Sequence, residues 1–199
     1  MVSHKHKFVF IHIPKTAGTS IWSATKQKVE KITHNIRRKG YRYLKEYETE
    51  NIDFSFAFVR NPWDRLVSAF KYLNAGGVYE GDRVDREKYL RNYGEAFSPF
   101  VKGLSSNNLI FNQMHFKPQY EWICDDNENI LVDFIGKFEN LQEDFNVVCD
   151  KIEIPRQKLP HSNKAKHKHY TEYYNDETRQ IIAEKYAKDI EYFGYRFGD

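Results

Sequence analysis

Two short segments of this 199-residue sequence concentrate the side chains that bind anions. The first is Pro14-Lys15-Thr16-Ala17-Gly18-Thr19-Ser20. Here the backbone N–H groups of Gly18, Thr19 and Ser20 can point at an anion from the first turn of a helix, where the helix dipole favours negative charge. Gly18 lets the backbone approach closely, and Thr16, Thr19 and Ser20 bring hydroxyl groups. Lys15 adds a point charge directly after an apolar run. Thr, Ser and Gly also serve as ordinary helix caps, but a lysine at the end of a buried strand is a costly addition to mere capping. The segment is therefore read as an anion cradle. In the nucleotide-triphosphatase pattern GxxxxGK[ST] the lysine follows the loop glycines and stands beside a metal-binding Ser or Thr. Here Lys15 precedes Gly18. The next apolar strand ends in Val59-Arg60 rather than in an Asp that would hold Mg²⁺, so an anion bound without metal is expected.

The second segment is Arg60-Asn61-Pro62-Trp63-Asp64-Arg65-Leu66-Val67-Ser68. Arg60 falls at a strand tip and Ser68 two turns into the helix that follows. A guanidinium fork with a hydroxyl suits a terminal phosphate. Taken alone, Arg60 fits a structural ion pair equally well. The two segments together point to a ligand with two separate anionic groups.

The elements that must position these loops follow from the apolar pattern. Phe8 to Ile13 (FVFIHI) predicts a buried central strand stopped by Pro14. Ile21, Trp22, Thr25, Val29 and Ile32 recur at helical spacing, which predicts a helix from about Thr19 to about Lys31. Ile52 to Val59 predicts a second strand. Asn61 then caps a helix with Pro62 in its first turn, with Trp63, Leu66, Val67, Phe70 and Leu73 on one face and Gly76-Gly77 at its close. Between Val78 and Asn107 the signals weaken to loops and a short helix within Tyr93 to Leu104, a region expected to shape acceptor access. Ile130 to Phe138 predicts a third strand. A helix follows with Asn140 as cap, Glu143 three residues on, and Leu141, Phe145 and Val148 inward. A last helix from about Asp176 to about Tyr192, ended by Gly194, is expected to pack on the sheet. Strands alternating with helices predict a single α/β domain over residues 1–199. It should be a three-layer α/β/α arrangement with a central, mainly parallel sheet and ligand loops at the strands' C-terminal ends.

Composition bounds the setting. A net charge of +3 is too small an excess to indicate nucleic-acid binding, and no nucleic-acid partner is expected. Basic residues gather at Lys26 to Lys45 and at Arg156 to His169, mostly as solvated faces, while Glu121 to Asp150 is mostly acidic. Cys124 and Cys149 show no metal-finger spacing and are read as reduced, buried thiols. No apolar run approaches the ~20 residues of a membrane span, and Met1 to Lys7 is too polar and short for a signal peptide. A soluble, cytoplasmic protein without stable membrane insertion is the expectation.

HIPKTAGTS followed by FAFVRNPWDRLVSAF resembles the 5'-phosphosulfate and 3'-phosphate loops of sulfotransferases that use 3'-phosphoadenosine 5'-phosphosulfate (PAPS). The likeness is strongest to the carbohydrate branch of the heparan 2-O and chondroitin type. It extends to VDFIGKFENLQEDF and to DETRQIIAEKYAKDIEYFGYRF, and is weak between about Lys26 and Tyr47 and between Gly76 and Asn129. The resemblance implies the P-loop nucleotide-hydrolase-like sulfotransferase fold. It also implies transfer of a sulfuryl group from PAPS, without metal, to a hydroxyl acceptor, on a carbohydrate in that branch. The loop Lys15, Thr16, Ala17, Gly18, Thr19 and Ser20 would take the 5'-phosphosulfate, and Arg60 and Ser68 the 3'-phosphate. Phe138 occupies the position where related enzymes place an aromatic near adenine, although core packing explains it equally well.

In-line sulfuryl transfer asks the protein mainly for positioning and charge, and Lys15 is assigned to the leaving oxygen. The acceptor hydroxyl needs a base. His34 is the first candidate, because the resembling enzymes use a histidine between the two phosphate loops; an ordinary surface or core histidine is the competing reading. His12 is expected to lie on a strand face beneath the loop and to buttress Lys15. The run Asn163 to His169 fits a lid over the donor, a patch for an anionic acceptor or a solvated loop, and the residues leave the three open. Two rivals use the same features: a nucleotide kinase on a similar scaffold, and a non-catalytic anion- or glycan-binding module.

Overall fold

The structure is a computed structural model that describes residues 1–25, 51–160 and 168–199. In chain order it contains β1 (Val2–Ser3), β2 (Phe8–Ile11), α1 (Gly18–Thr25), β3 (Phe54–Val59), α2 (Pro62–Asn74), α3 (Glu80–Tyr89) and α4 (Phe97–Leu104). These are followed by α5 (Tyr120–Ile123), β4 (Phe134–Lys137), α6 (Leu141–Lys151), α7 (Asp176–Lys185) and α8 (Ala187–Phe193). They form two compact units: residues 1–60 with 119–165, and residues 61–118 with 166–199.

The first unit holds a sheet of order β1-β2-β3-β4, in which β2-β3 and β3-β4 are parallel and the short β1 pairs antiparallel with β2. The fold is α/β, as expected. Side chains alternate across each strand, so Phe8, Phe10, Phe56 and Phe58 share one face. They are fully buried with Ile21 of α1 and Phe145, Val148 and Cys149 of α6. Phe10 stacks on Phe56 at 5.0 Å between centroids, and Phe58 meets Phe56 edge-on at 6.3 Å. Each buried aromatic contributes about 1.5–3 kcal/mol of apolar transfer. The alternate residues Val9, Ile11, Ala57 and Val59 are also buried. Strands hidden on both faces read as unbroken apolar runs, which is the pattern that marked them in the sequence. Phe58 pairs with Gly136, where a Cβ would stand 2.5 Å from the Phe58 ring.

The strands are shorter than the apolar runs. β4 begins at Phe134 rather than Ile130; just before it Asp133 N–H still donates to Ser55 O at 3.0 Å, but Ser55 N–H turns to the Asp133 side chain, donating to Oδ2 at 2.7 Å. Asn140 precedes α6 but makes no side-chain cap. Instead Asp144 of the first turn accepts from Lys137 N–H at 2.6 Å and fastens the helix to the end of β4.

The second unit is helical. Asn61 caps α2 by accepting from Trp63 N–H, Pro62 stands in the first turn, and Trp63, Leu66, Val67, Phe70 and Leu73 are buried. They pack with Phe97, Phe100, Val101 and Leu104 of α4. The expected C-terminal helix is two helices that break at Tyr186, whose buried hydroxyl donates to Phe116 O at 2.6 Å. Ile182 joins this helical core. Gly194 ends α8 at φ 63, in the left-handed region where glycine carries no Cβ penalty. Both cysteines are buried and unbridged. Among the described residues no helix is long and apolar enough to cross a membrane.

Candidate anion-binding site

The loop after β2 turns sharply because Lys15 and Ala17 adopt positive φ, 71° and 66°. A residue with a Cβ enters this region at a cost of about 1 kcal/mol, and such turns gather successive N–H groups into anion-binding concavities. Thr16 is fully buried, and its hydroxyl donates to Ile13 O at 2.9 Å, bracing the loop against the end of β2. Ser20 N–H donates to Ala17 O at 2.9 Å. Among the described residues no protein acceptor takes the Gly18 or Thr19 N–H. Thr19 is exposed, and Lys15, Ala17 and Ser20 are half-buried. Gly18 is required by its neighbour: a Cβ there would lie 1.9 Å from His12 Nε2 and 2.0 Å from His12 Cδ2. The His12 ring in turn stacks on Phe10 at 5.8 Å, so it lies under the loop as its strand position implied.

Arg60 follows the last residue of β3 and is only 8% exposed. Its Nη1 donates to Lys15 O at 3.2 Å, and its guanidinium lies 4.0 Å from the centre of the Phe138 ring. Three residues singled out separately in the sequence, Lys15, Arg60 and Phe138, are thus brought together at the C-terminal ends of β2, β3 and β4. The sequence reading missed Gln119. This fully buried side chain accepts from Arg60 N–H at 2.9 Å and donates to Arg60 O at 2.8 Å. Its contacts span 59 residues and carry no local signal.

In the second unit Ser68 is half-buried on α2. Arg65, three residues earlier, is buried and donates to Lys117 O at 2.9 Å. Asp82 anchors the turn after α2, accepting from Tyr72 Oη at 2.6 Å and from Val78 and Tyr79 N–H at 3.0 Å each. Burial pushes its carboxyl up, but the hydrogen bonds from Tyr72, Tyr79 and Val78 and the charge of His115 hold it below the ordinary value. The Tyr72 phenol is pushed up by burial and by Asp82. His34 and residues 163–167 lie outside the described residues. His169, at the end of the basic run, sits 2.8 Å from Thr171 Oγ1 through Nδ1. Among the described residues no cluster of three or more His, Cys, Asp or Glu side chains is arranged to hold a metal.

This sheet, with its loops after parallel strands, places the chain among α/β proteins that present ligand loops at the strands' C-terminal ends. The sulfotransferase family's sequence profile matches residues 1–196, and the chain belongs to that family. An uncharacterized protein of Archaeoglobus fulgidus is 34% identical over 102 residues, covering 51% of this chain and 69% of the relative. Human carbohydrate sulfotransferase 9 is 27% identical, covering 95% of this chain and 47% of the relative. Carbohydrate sulfotransferase 10 of Gallus gallus is 26% identical, covering 100% and 66%. The chain therefore spans about half the length of carbohydrate sulfotransferase 9 and about two thirds of carbohydrate sulfotransferase 10. No solved structure matches it.

Proposed function

We propose that this chain, acting as one sulfotransferase domain, moves a sulfuryl group from PAPS to a hydroxyl of a carbohydrate acceptor. The observation that carries the reading is the meeting of Lys15, Arg60 and Phe138 around a loop bent through positive φ at Lys15 and Ala17. The residues fit the donor. A loop with Gly18 and Thr19 N–H groups, the Ser20 and Thr19 hydroxyls and the Lys15 ammonium suits a phosphosulfate, and a guanidinium above an aromatic ring suits a phosphate beside a purine. PAPS supplies the sulfuryl group and leaves as adenosine 3',5'-bisphosphate. Lys15 neutralises charge on the bridging oxygen as the sulfur–oxygen bond breaks, and His34 takes the proton from the acceptor hydroxyl as the new bond forms. Arg60 holds the 3'-phosphate, and no metal takes part. The carbohydrate acceptor is supported by the names of the relatives.

The test is calorimetric titration with adenosine 3',5'-bisphosphate in the presence of a chelator, followed by transfer from sulfur-labelled PAPS to a panel of glycans. Micromolar binding that survives chelation is the expected result. A protein that takes up Mg²⁺-ATP and gives no heat with the bisphosphate is a kinase. One that binds glycans and never turns over PAPS is a binding module.

A further inference from the structure

At the tip of β3 the ladder stops, since Val59 pairs with Lys137 and that is the last register position of β3-β4. Arg60, one residue further, still carries a backbone donor and acceptor that burial makes expensive to leave unmet. Gln119 supplies both partners from one planar carboxamide, Oε1 to the N–H and Nε2 to the carbonyl, and so takes the place of a neighbouring strand. Its own mounting is rigid. Gln119 O accepts from Trp122 N–H at 3.0 Å, and Trp122 and Ile123 of α5 are fully buried. Ile123 O accepts from Leu131 N–H at 2.8 Å, which ties α5 to the strand connection before β4.

With its backbone held on both sides, Arg60 can project its guanidinium between Phe138 and the Lys15 carbonyl. We propose that Gln119 is a positioning residue for anion binding, a side-chain clasp that fixes the Arg60 backbone and thereby aims the Arg60 fork at the ligand's second phosphate. The proposal rests on the reading of Arg60 as a 3'-phosphate ligand. Gln119 touches no reacting atom and acts only through Arg60.

The readout is the increment in affinity that a 3'-phosphate adds, measured by titrating the full chain with adenosine 3',5'-bisphosphate and with adenosine 5'-phosphate. In Gln119→Met, which keeps the length and loses both hydrogen bonds, the increment falls about tenfold. In an Arg60→Ala background the same change removes nothing further, because the two residues act as one unit. A folded Gln119→Met with an undiminished increment overturns the proposal, as do independent, multiplying losses in the double variant. Should Gln119→Met fail to fold, Gln119→Glu keeps the acceptor for Arg60 N–H and loses the donor. It is expected to lose part of the increment, and an unchanged increment there overturns the proposal as well. A wild-type protein that gains nothing from the 3'-phosphate overturns both this proposal and the reading beneath it, which separates that failure from failure of the clasp alone.

Discussion

Replacing Gly18 by alanine tests whether the loop and the strand below it act as one body. The added Cβ would stand 1.9, 2.0 and 2.7 Å from three atoms of the His12 ring. Ordinary contact begins near 3.5 Å, so the ring must retreat by about 1.5 Å. It cannot do so freely, since it stacks on Phe10, which is fully buried in the aromatic face of the sheet. Overpacking of this kind costs about 2–3 kcal/mol, against which the better helix propensity of alanine returns less than about 1 kcal/mol. For a chain of this length each kcal/mol lowers the melting temperature by roughly 2–4 °C, so a net cost of about 2 kcal/mol gives a drop of about 4–8 °C. Affinity for adenosine 3',5'-bisphosphate should fall by at least about tenfold, because the alternative to moving the ring is moving the loop. The assay is a thermal melt with parallel titration, repeated in a His12→Ala background, where Gly18→Ala should cost little more. A melt within about 1 °C of wild type, with unchanged binding in both backgrounds, refutes the reasoning.

Two further outcomes follow from the geometry. Lys15→Ala should lower kcat by about a hundredfold or more while the melting temperature holds, since the loss is of charge at the leaving oxygen; near-normal turnover of labelled PAPS would sink that assignment. Asp82→Asn should cost about 1–3 kcal/mol at neutral pH by weakening the bonds that close the turn after α2. Because the folded carboxyl lies below its ordinary 3.8, its contribution is complete above that value and fades as pH falls through the folded one. The stability gap between wild type and variant in denaturant melts should therefore close in acid, and a gap constant from pH 7 to pH 3 contradicts the assignment.

Much of this was legible because the signals were local. Asn61 and Pro62 start α2 by chemistry contained within three residues, and the apolar positions of α2 are all buried. β2 and β3 announced themselves as apolar runs buried on both faces, while β4 showed as an apolar run although most of it is only half-buried. What escaped depended on distant partners. The C-terminal helix keeps its period through Tyr186, yet breaks there, where the side chain is tethered to Phe116. α3 was invisible because it is polar nearly all round and its one aliphatic residue, Val84, is exposed. β1 is two residues long in a polar stretch, too short for alternation to show. In the site, Lys15 and Gly18 stood out by their place after a strand, whereas Gln119 looks like any polar residue until the fold sets it beside Arg60.

The positive φ of Lys15 and Ala17 has a consequence for how the protein can change. Glycine at either position would relax the turn, and a variant so altered would keep its melting temperature or raise it. The same slackening would free the loop to wander, and ordering it again would fall to the ligand. Selection for stability and selection for grip thus pull these two positions in opposite directions. The side chains at both positions, where the backbone alone would prefer none, keep the turn stiff at the expense of that strain.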